Sequence, residues 1–153
     1  MEIRQMKIQD YEEIYHLWTG TPGMGLRSLD DSKEGISGFL VRNPNTCFVA
    51  QIQGEAVGTI LCGNDGRRGY LYHLAVCPAQ RKKGIGRSLV NAVIGALKQE
   101  RIHKAALVVF RSNDLGNMFW SSVDFQERDD LIYRDLWING ENQSLTEAKE
   151  RNA

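Results

Sequence analysis

Residues 74–87, which read LAVCPAQRKKGIGR, decide how the rest of the chain is interpreted. An apolar run typical of a buried strand enters a basic turn with Gly84 and Gly86, and the turn opens a long amphipathic helix. The first N–H groups of a helix are unpaired and the helix dipole adds positive charge, so such a turn can hold an anion. Glycines let a phosphate approach the backbone. Cations surround the turn: Arg81, Lys82, Lys83 and Arg87. We therefore expect a ligand that carries a pyrophosphate.

The common nucleotide-binding motifs do not match this turn. A P-loop needs a Gly-Lys-Ser/Thr ending, which the turn lacks. A dinucleotide-binding fingerprint needs a third glycine near position 89, where this chain has Leu89.

Hydrophobic periodicity predicts the elements on either side of the turn. Before it we expect a short first strand, helices over residues 5–18 and 30–42, and antiparallel strands over residues 47–52, 56–62 and 70–76. After the helix that begins near Ile85 we expect a strand over residues 105–110, a helix over residues 114–123 and a hairpin over residues 125–137. The predicted fold is α/β (α+β): a mixed, mostly antiparallel sheet of about seven strands with helices on both faces. Residues 1–138 form one domain, and residues 139–153 are a polar, flexible tail.

Composition excludes several classes of protein. The chain has 153 residues, with 19 Lys+Arg against 19 Asp+Glu, so its overall charge does not favour nucleic acid as a partner. No apolar run approaches the roughly 20 residues that cross a membrane, and residues 1–7 lack the apolar core of a signal peptide. Three cysteines, at positions 47, 62 and 77, are typical of reduced thiols in a cytoplasmic protein, and their spacing predicts no metal site.

The pattern Arg-x-x-Gly-x-Gly after a strand ending in Ala-Val-x-Pro resembles motif A of the GNAT superfamily, the acyl-CoA-dependent N-acyltransferases. The resemblance covers almost the whole chain and implies an acetyltransferase that uses acetyl-CoA, with a possible homodimer. It implies that the strand at Leu74, Ala75 and Val76 pairs with the pantetheine arm. It implies that the pyrophosphate is held by Arg81, Lys82, Lys83, Gly84, Ile85, Gly86 and Arg87. The positions matching the contacts to the cofactor arm and its sulfur end are Asn113, Phe119 and Trp120.

The resemblance leaves the catalytic groups open. The family's oxyanion donor is usually a backbone N–H, which makes Val76 the candidate here. Trp120 stands where relatives commonly have a Tyr that protonates the thiolate, and an indole cannot replace a phenol as an acid. Tyr133 or water could take that role, or the thiolate could leave unprotonated.

A base must also take a proton from the acceptor ammonium. The resemblance implies a Glu or His on the strand before the loop, at positions where this chain has Tyr70 and Tyr72, with His73 next to them. Simple alternation puts the two tyrosines on one face and His73 on the other, unless a bulge changes the count. His73 can act as the base because imidazole titrates near neutral pH, and Tyr72 can contact the substrate or relay a proton.

The acceptor is expected to be a primary amine of a small molecule or a protein, and Tyr70, Tyr72, Asp30 and Asp31 are the candidate substrate residues. Helix capping is the alternative role of the two aspartates. Two rival functions remain: an acyl-CoA-binding module with weak activity, and a phosphate- or RNA-binding protein that uses the basic turn alone.

Overall fold

The structure is a computed structural model that describes residues 1–145. In chain order the elements are β1 (Glu2–Gln5), α1 (Tyr11–Thr19), α2 (Lys33–Arg42), β2 (Phe48–Ile52), β3 (Glu55–Asn64), β4 (Gly69–Val76), α3 (Ile85–Gln99), β5 (Ala105–Ala106) and α4 (Asp114–Ser122). Short 3₁₀ turns precede α1 at Ile8–Asp10 and α3 at Pro78–Gln80. This order agrees with the predicted order as far as α4, and the predicted α/β class is confirmed.

The strands form one sheet in the order β1-β2-β3-β4-β5. Neighbours are antiparallel from β1 to β4, whereas β4 and β5 are parallel because α3 connects them across one face of the sheet. Gln53 and Gly54 both have positive φ angles, of 52° and 82°. Such a pair makes the tight turn that suits the right-handed twist of the β2–β3 hairpin.

Two hydrophobic clusters cover the two faces of the sheet. On one face α1 and α2 pack on the sheet through Ile14, Trp18, Ile36 and Leu40, and the first two are fully buried. On the other face α3 contributes Ile85, Leu89, Val90, Val93 and Leu97. Burying a side chain such as Leu89 stabilises the fold by about 1.5–3 kcal/mol relative to leaving it exposed. The prediction of helices on both faces is therefore confirmed.

The strand count was predicted too high. The described residues form five strands rather than about seven, because β5 ends at Ala106 and residues 125–138 form no regular strand. The β-branched and aromatic residues there favoured a hairpin, yet Ile132, Leu136 and Ile138 are exposed. A strand depends on a neighbouring strand for its hydrogen bonds, and β5 is too short to offer one.

Residues 139–145, the first part of the predicted flexible tail, make hydrogen bonds with the rest of the chain. This segment packs on residues 26–31: Leu145 N donates to Leu26 O, and Ser28 N donates to Gln143 O. Asn142 is buried, and its Oδ1 accepts hydrogen bonds from the backbone N–H groups of Leu29 and Asp30. The remainder of the predicted tail lies outside the described residues. Within residues 1–145 no helix is long and apolar enough to cross a membrane.

Candidate acetyl-transfer site

The N-terminus of α3 has the backbone that the glycine turn predicted. Gly84 is the N-cap residue in the left-handed conformation, with φ 80°, and no side chain caps the helix. Lys82 is left-handed as well, with φ 62°. The hydrogen bond from Ser88 N to Gly84 O begins the helical series, so the preceding N–H groups are directed out of the helix end. This end can donate hydrogen bonds to an anion.

The four predicted cations lie around this helix end, and all four residues are exposed. Three of them also donate hydrogen bonds within the protein. Arg81 Nε donates to the carbonyl oxygen of Val76 at 3.1 Å, and Arg87 donates to Ser122 O at 2.8 Å, which ties α3 to α4. Lys83 Nζ contacts Gln80 Oε1 at 2.9 Å. The charges are therefore held near the helix end and remain accessible to solvent.

The two glycines of the turn serve different purposes. A Cβ at Gly84 would meet no atom within 4 Å, so only its left-handed backbone requires glycine. A Cβ at Gly86 would lie 3.1 Å from a ring carbon of Phe119. Gly86 therefore lets α4 pack closely on α3, a reason that sequence spacing did not reveal.

β4 and β5 separate shortly after they meet. Their pairing is limited to Gly69–Ala105 and Tyr70–Ala106, so the rest of β4 has an open edge on the β5 side. Cys77 N donates to Val57 O, which makes the adjacent pair Gly58–Val76 a non-hydrogen-bonded one. The N–H and C=O groups of Val76 consequently point away from β3 and towards the gap between β4 and β5.

The aromatic pair of α4 packs against the α3 side of the sheet, whereas the first turn of α4 lies beside Gly23 in the loop after α1. Asn113 is the N-cap of α4, and its Oδ1 accepts from Gly116 N at 2.9 Å, a capping role that Asn commonly takes. The ring of Phe119 packs edge-on against Trp120, with centroids 5.1 Å apart, and Trp120 packs in the same way on Phe125 at 5.2 Å. Both aromatic residues thus contribute to packing, whatever else they contact.

His73 lies in a β-bulge, and this corrects the predicted alternation. His73 and Leu74 together face the single residue Ile60 of β3, and the φ angle of His73 is 53°. The extra residue turns the imidazole to the α1 side of the sheet, where its ring centroid is 5.0 Å from Trp18 and 6.3 Å from Tyr72. The histidine and the candidate substrate tyrosines therefore share one face.

The carboxylate of Asp31 bonds to this histidine. Asp31 Oδ1 lies 2.6 Å from His73 Nε2, and the side chains are only 5% and 13% exposed. The second oxygen, Oδ2, accepts from the backbone N–H of Arg27 at 2.7 Å. The pairing was missed from sequence because the residues are 42 positions apart and alternation placed His73 on the opposite face. The bulge was the only signal that could have indicated it.

Neither predicted aspartate caps α2. Ser32 is the N-cap, and its hydroxyl accepts from Gly35 N at 3.0 Å. Asp31 is buried with both carboxylate oxygens bonded inside the chain, so it cannot also bind a substrate cation. Asp30 is exposed, and its Oδ2 accepts from Asn142 Nδ2 at 2.7 Å.

The candidate substrate tyrosines form an aromatic wall beside His73. Tyr70 and Tyr72 have ring centroids 4.9 Å apart, and Phe39 of α2 packs edge-on against Tyr72 at 5.9 Å. Burial raises the pKa of Tyr70 to about 12, and burial also raises the pKa of Tyr72. Both phenols therefore stay protonated at neutral pH and can donate hydrogen bonds, but they cannot act as bases.

Two of the three cysteines lie in the core. Burial raises the pKa of Cys47 to about 11 and that of Cys62 to about 12, so both are protonated thiols at neutral pH. Among residues 1–145, no three His, Cys, Asp or Glu side chains lie close enough together to hold a metal ion.

Comparison with known proteins agrees with this geometry. Residues 11–125 match the model of the acetyltransferase (GNAT) family. An acetyltransferase of Sodalis glossinidius is 32% identical over 132 residues, covering 86% of this chain and 92% of the relative. An acetyltransferase of Photorhabdus laumondii is 33% identical over 132 residues, covering 84% of this chain and 88% of the relative.

A solved structure has the same fold. The PaiA N-acetyltransferase of Thermoplasma acidophilum, crystallised with coenzyme A, superimposes with a TM-score of 0.75 at 22% identity, covering 84% of this chain and 91% of that one. The family match and the curated relatives extend over the basic turn, the open strand edge and the bulged strand. This chain belongs to the GNAT family of acetyltransferases.

Proposed function

We propose that the protein transfers the acetyl group of acetyl-CoA to a primary amine by direct attack in a ternary complex. The observation that carries the proposal is the open edge of β4 beside the uncapped end of α3. An extended pantetheine arm fits the edge as an added strand would, and a pyrophosphate fits the helix end. His73 and the tyrosines lie on the α1 face of the same strand, where an acceptor can approach.

The residues present fit the cofactor. The N–H groups at Gly84, Ile85 and Gly86 would hold the pyrophosphate, and the four cations Arg81, Lys82, Lys83 and Arg87 would neutralise its charge. The backbone at Leu74, Ala75 and Val76 would hold the pantetheine arm, with Asn113, Phe119 and Trp120 on its other side. Acetyl-CoA supplies the acetyl group as a thioester.

The backbone N–H of Val76 is our candidate for the donor that stabilises charge on the thioester oxygen. It points into the gap between β4 and β5 and has no ladder partner there. A preorganised N–H group aimed at the developing negative charge stabilises the transition state more than the ground state. No side chain is needed for this role.

His73 is the candidate base. An amine with a pKa near 10.4 is mostly protonated at neutral pH, so a proton must leave before the nitrogen can attack. The tyrosine phenols are protonated themselves, which restricts Tyr72 to contacting or orienting the acceptor. Once the proton has moved to the imidazole, the nitrogen bonds to the thioester carbon. The carbon–sulfur bond would then break, the thiolate would leave with the electron pair, and the second proton of the attacking nitrogen would go to the thiolate or to water.

The acceptor should be a cationic amine that fits between aromatic rings and one carboxylate. Tyr70 and Tyr72 provide rings that attract a cation. Asp30, in the loop before α2, is near enough to Tyr72 for its negative charge to add to the effect of burial in raising the pKa of that phenol. Asp31 does not serve as a substrate residue in this proposal, because its carboxylate is buried and both of its oxygens are hydrogen-bonded within the protein.

Calorimetric titration with acetyl-CoA and with coenzyme A, at two salt concentrations, tests the cofactor. Release of the thiol from acetyl-CoA in the presence of a polyamine, an aminoglycoside or a peptide with a free N-terminus tests the transfer. We expect micromolar binding that survives moderate salt, and amine-dependent thiol release.

Each rival function predicts a different result. Tight binding of coenzyme A without turnover on any amine would indicate an acyl-CoA-binding module. Binding that collapses with salt and shows no preference for coenzyme A would indicate a phosphate-binding surface.

A further inference from the structure

Asp31 and His73 form a buried pair at the acceptor side of β4. We propose that Asp31 is a positioning residue, which holds the imidazole of His73 in the tautomer and orientation needed to accept a proton from the acceptor amine. This inference rests on the proposed function and deepens it, because it assigns a role to a residue that touches neither the amine nor the cofactor.

Hydrogen bonds hold both the carboxylate and the backbone around Asp31 in place. The side-chain Oδ2 of Asp31 accepts from Arg27 N at 2.7 Å. The backbone carbonyl oxygen of Asp31 accepts from the hydroxyl of Tyr11, also at 2.7 Å. Asn142 holds the neighbouring backbone N–H groups of Leu29 and Asp30. A group held this firmly can orient the ring that it bonds to.

The bond also determines the tautomer of the imidazole. An ionised carboxylate only accepts hydrogen bonds, so Nε2 of neutral His73 must carry the hydrogen that it donates to Asp31 Oδ1. The other ring nitrogen, Nδ1, then has a free lone pair and has no hydrogen-bond partner within residues 1–145. Because 13% of the side chain is exposed, solvent or an acceptor can reach the ring.

Within residues 1–145, the rings in contact with the imidazole are uncharged. From α1 the neighbour is the uncharged indole of Trp18, and from β4 it is the protonated phenol of Tyr72. β3 contributes apolar residues, Ile60 and Leu61, opposite the bulge. The loop before α2 contributes Asp31 at 2.6 Å and, further out, the exposed Asp30. Asp31 supplies the carboxylate that is in direct contact with the ring.

Asp31→Asn tests the tautomer because an amide has one accepting oxygen where the carboxylate has two. If that oxygen keeps the bond to Arg27 N, the amide NH₂ must donate to His73 Nε2, which moves the ring hydrogen to Nδ1. Nitrogen-15 NMR of the imidazole rings shows which nitrogen of His73 carries the hydrogen, and the chain has only 3 histidines to assign. We expect Nε2–H in the wild type and Nδ1–H in the variant.

Acetyl transfer by the same variant tests the role. With saturating acetyl-CoA we expect kcat on the best amine of the panel to fall roughly 100-fold or more, in the range of general-base effects, with KM for acetyl-CoA unchanged. Hydroxylamine is largely uncharged at neutral pH and needs no base, so transfer to it should be nearly retained after subtraction of the uncatalysed rate. The exposed Glu34 at the start of α2 provides the control, Glu34→Gln, which removes a carboxylate from the adjacent helix and should change neither readout.

The outcomes separate this inference from the proposed function. If the wild type acetylates an amine and folded Asp31→Asn does so equally well, the role of Asp31 is refuted and the acetyltransferase stands. A wild-type Nδ1–H tautomer, or an equal loss on hydroxylamine, would also refute it. If the wild type acetylates none of the amines, the proposed function fails first. His73→Gln provides a second variant if Asp31→Asn does not fold, and it should show the same selective loss on protonated amines.

Discussion

Gly84 is the residue at which the cofactor turn can be tested with least disturbance. Its φ of 80° costs a side-chain residue about 1–2 kcal/mol, while the space around its Cβ is open. We expect Gly84→Ala to weaken coenzyme A binding at least about 5-fold, through a shifted helix end, with the fold preserved. Calorimetry gives the affinity and circular dichroism checks the fold.

Gly95, in the interior of the same helix with no atom within 4 Å of its Cβ, provides the matched control. Gly95→Ala should leave coenzyme A affinity unchanged and raise the free energy of unfolding by about 0.5–1 kcal/mol. Equal affinities of wild type and Gly84→Ala for coenzyme A would refute the assignment of the turn as the pyrophosphate site. Gly86 is less suitable, because a larger residue there collides with Phe119.

Trp120 stands at the position where the GNAT resemblance implies a Tyr in many members, and its ring packs between Phe119 and Phe125. We expect Trp120→Tyr to leave kcat equal or higher, since a phenol can both fill part of this space and protonate the departing thiolate. The measurement is kcat for thiol release with saturating amine. A collapse of kcat in a folded variant would show that the indole has a specific role.

At the scale of elements, α2 and the preceding loop depend on Gly35. A Cβ there would lie within 3 Å of the carbonyl oxygens of Leu29 and Asp30, which are backbone atoms that cannot move aside cheaply. We expect Gly35→Ala to lower the free energy of unfolding by about 1–3 kcal/mol, as overpacking does. Urea denaturation measures it.

Gly38 lies in the same helix, and a Cβ there meets nothing within 4 Å. Gly38→Ala should therefore stabilise the protein by about 0.5–1 kcal/mol. If Gly35→Ala stabilised the protein to the same extent, the result would contradict the close contact between Gly35 and the carbonyl oxygens of Leu29 and Asp30.

Arg4 in β1 and Asp10 before α1 form an ion pair with N–O distances of 2.7 and 2.8 Å. Burial alone would raise the pKa of Asp10, but the bonds from Arg4 and from Lys7 N outweigh it and lower the pKa below its usual value. Asp10→Asn should therefore be less stable than wild type above about pH 4, where an unfolded Asp is ionised. The difference should vanish as pH falls through the lowered pKa. Urea denaturation between pH 2 and 7 measures the free energy of unfolding of both proteins. A difference between them that stayed constant over this range would contradict the prediction.

At the scale of the whole molecule, Asn142 connects the C-terminal segment to the loop that carries Asp31. Its buried amide bonds to Leu29 N, Asp30 N and Asp30 Oδ2. Asn142→Ala leaves these groups without partners, so we expect a loss of about 1–3 kcal/mol in the free energy of unfolding. Gln143→Ala, at an exposed neighbouring side chain, should change it by less than about 0.5 kcal/mol. Equal effects of the two substitutions would contradict the anchoring role.

The family and the cofactor turn could be predicted from sequence because their signals are local. The strand, the basic turn and α3 follow one another within residues 74–87, and the anion site needs only the dipole and free N–H groups of one helix end. The periodicity of α1, α2 and α3 is local as well, and their packing on both faces was predicted for that reason.

Long-range geometry determined the rest. The bulge at His73 changes which face its side chain occupies, and only the folded sheet brings it to Asp31, 42 positions away. The close packing of Phe119 on Gly86 and the docking of Asn142 on Leu29 also join distant segments. Residues 125–138 have strand-like composition but form no strand, because a strand needs a partner. The sequence by itself thus determined the family and the glycine-containing start of α3, and the tertiary structure decided that Asp31 and His73 meet.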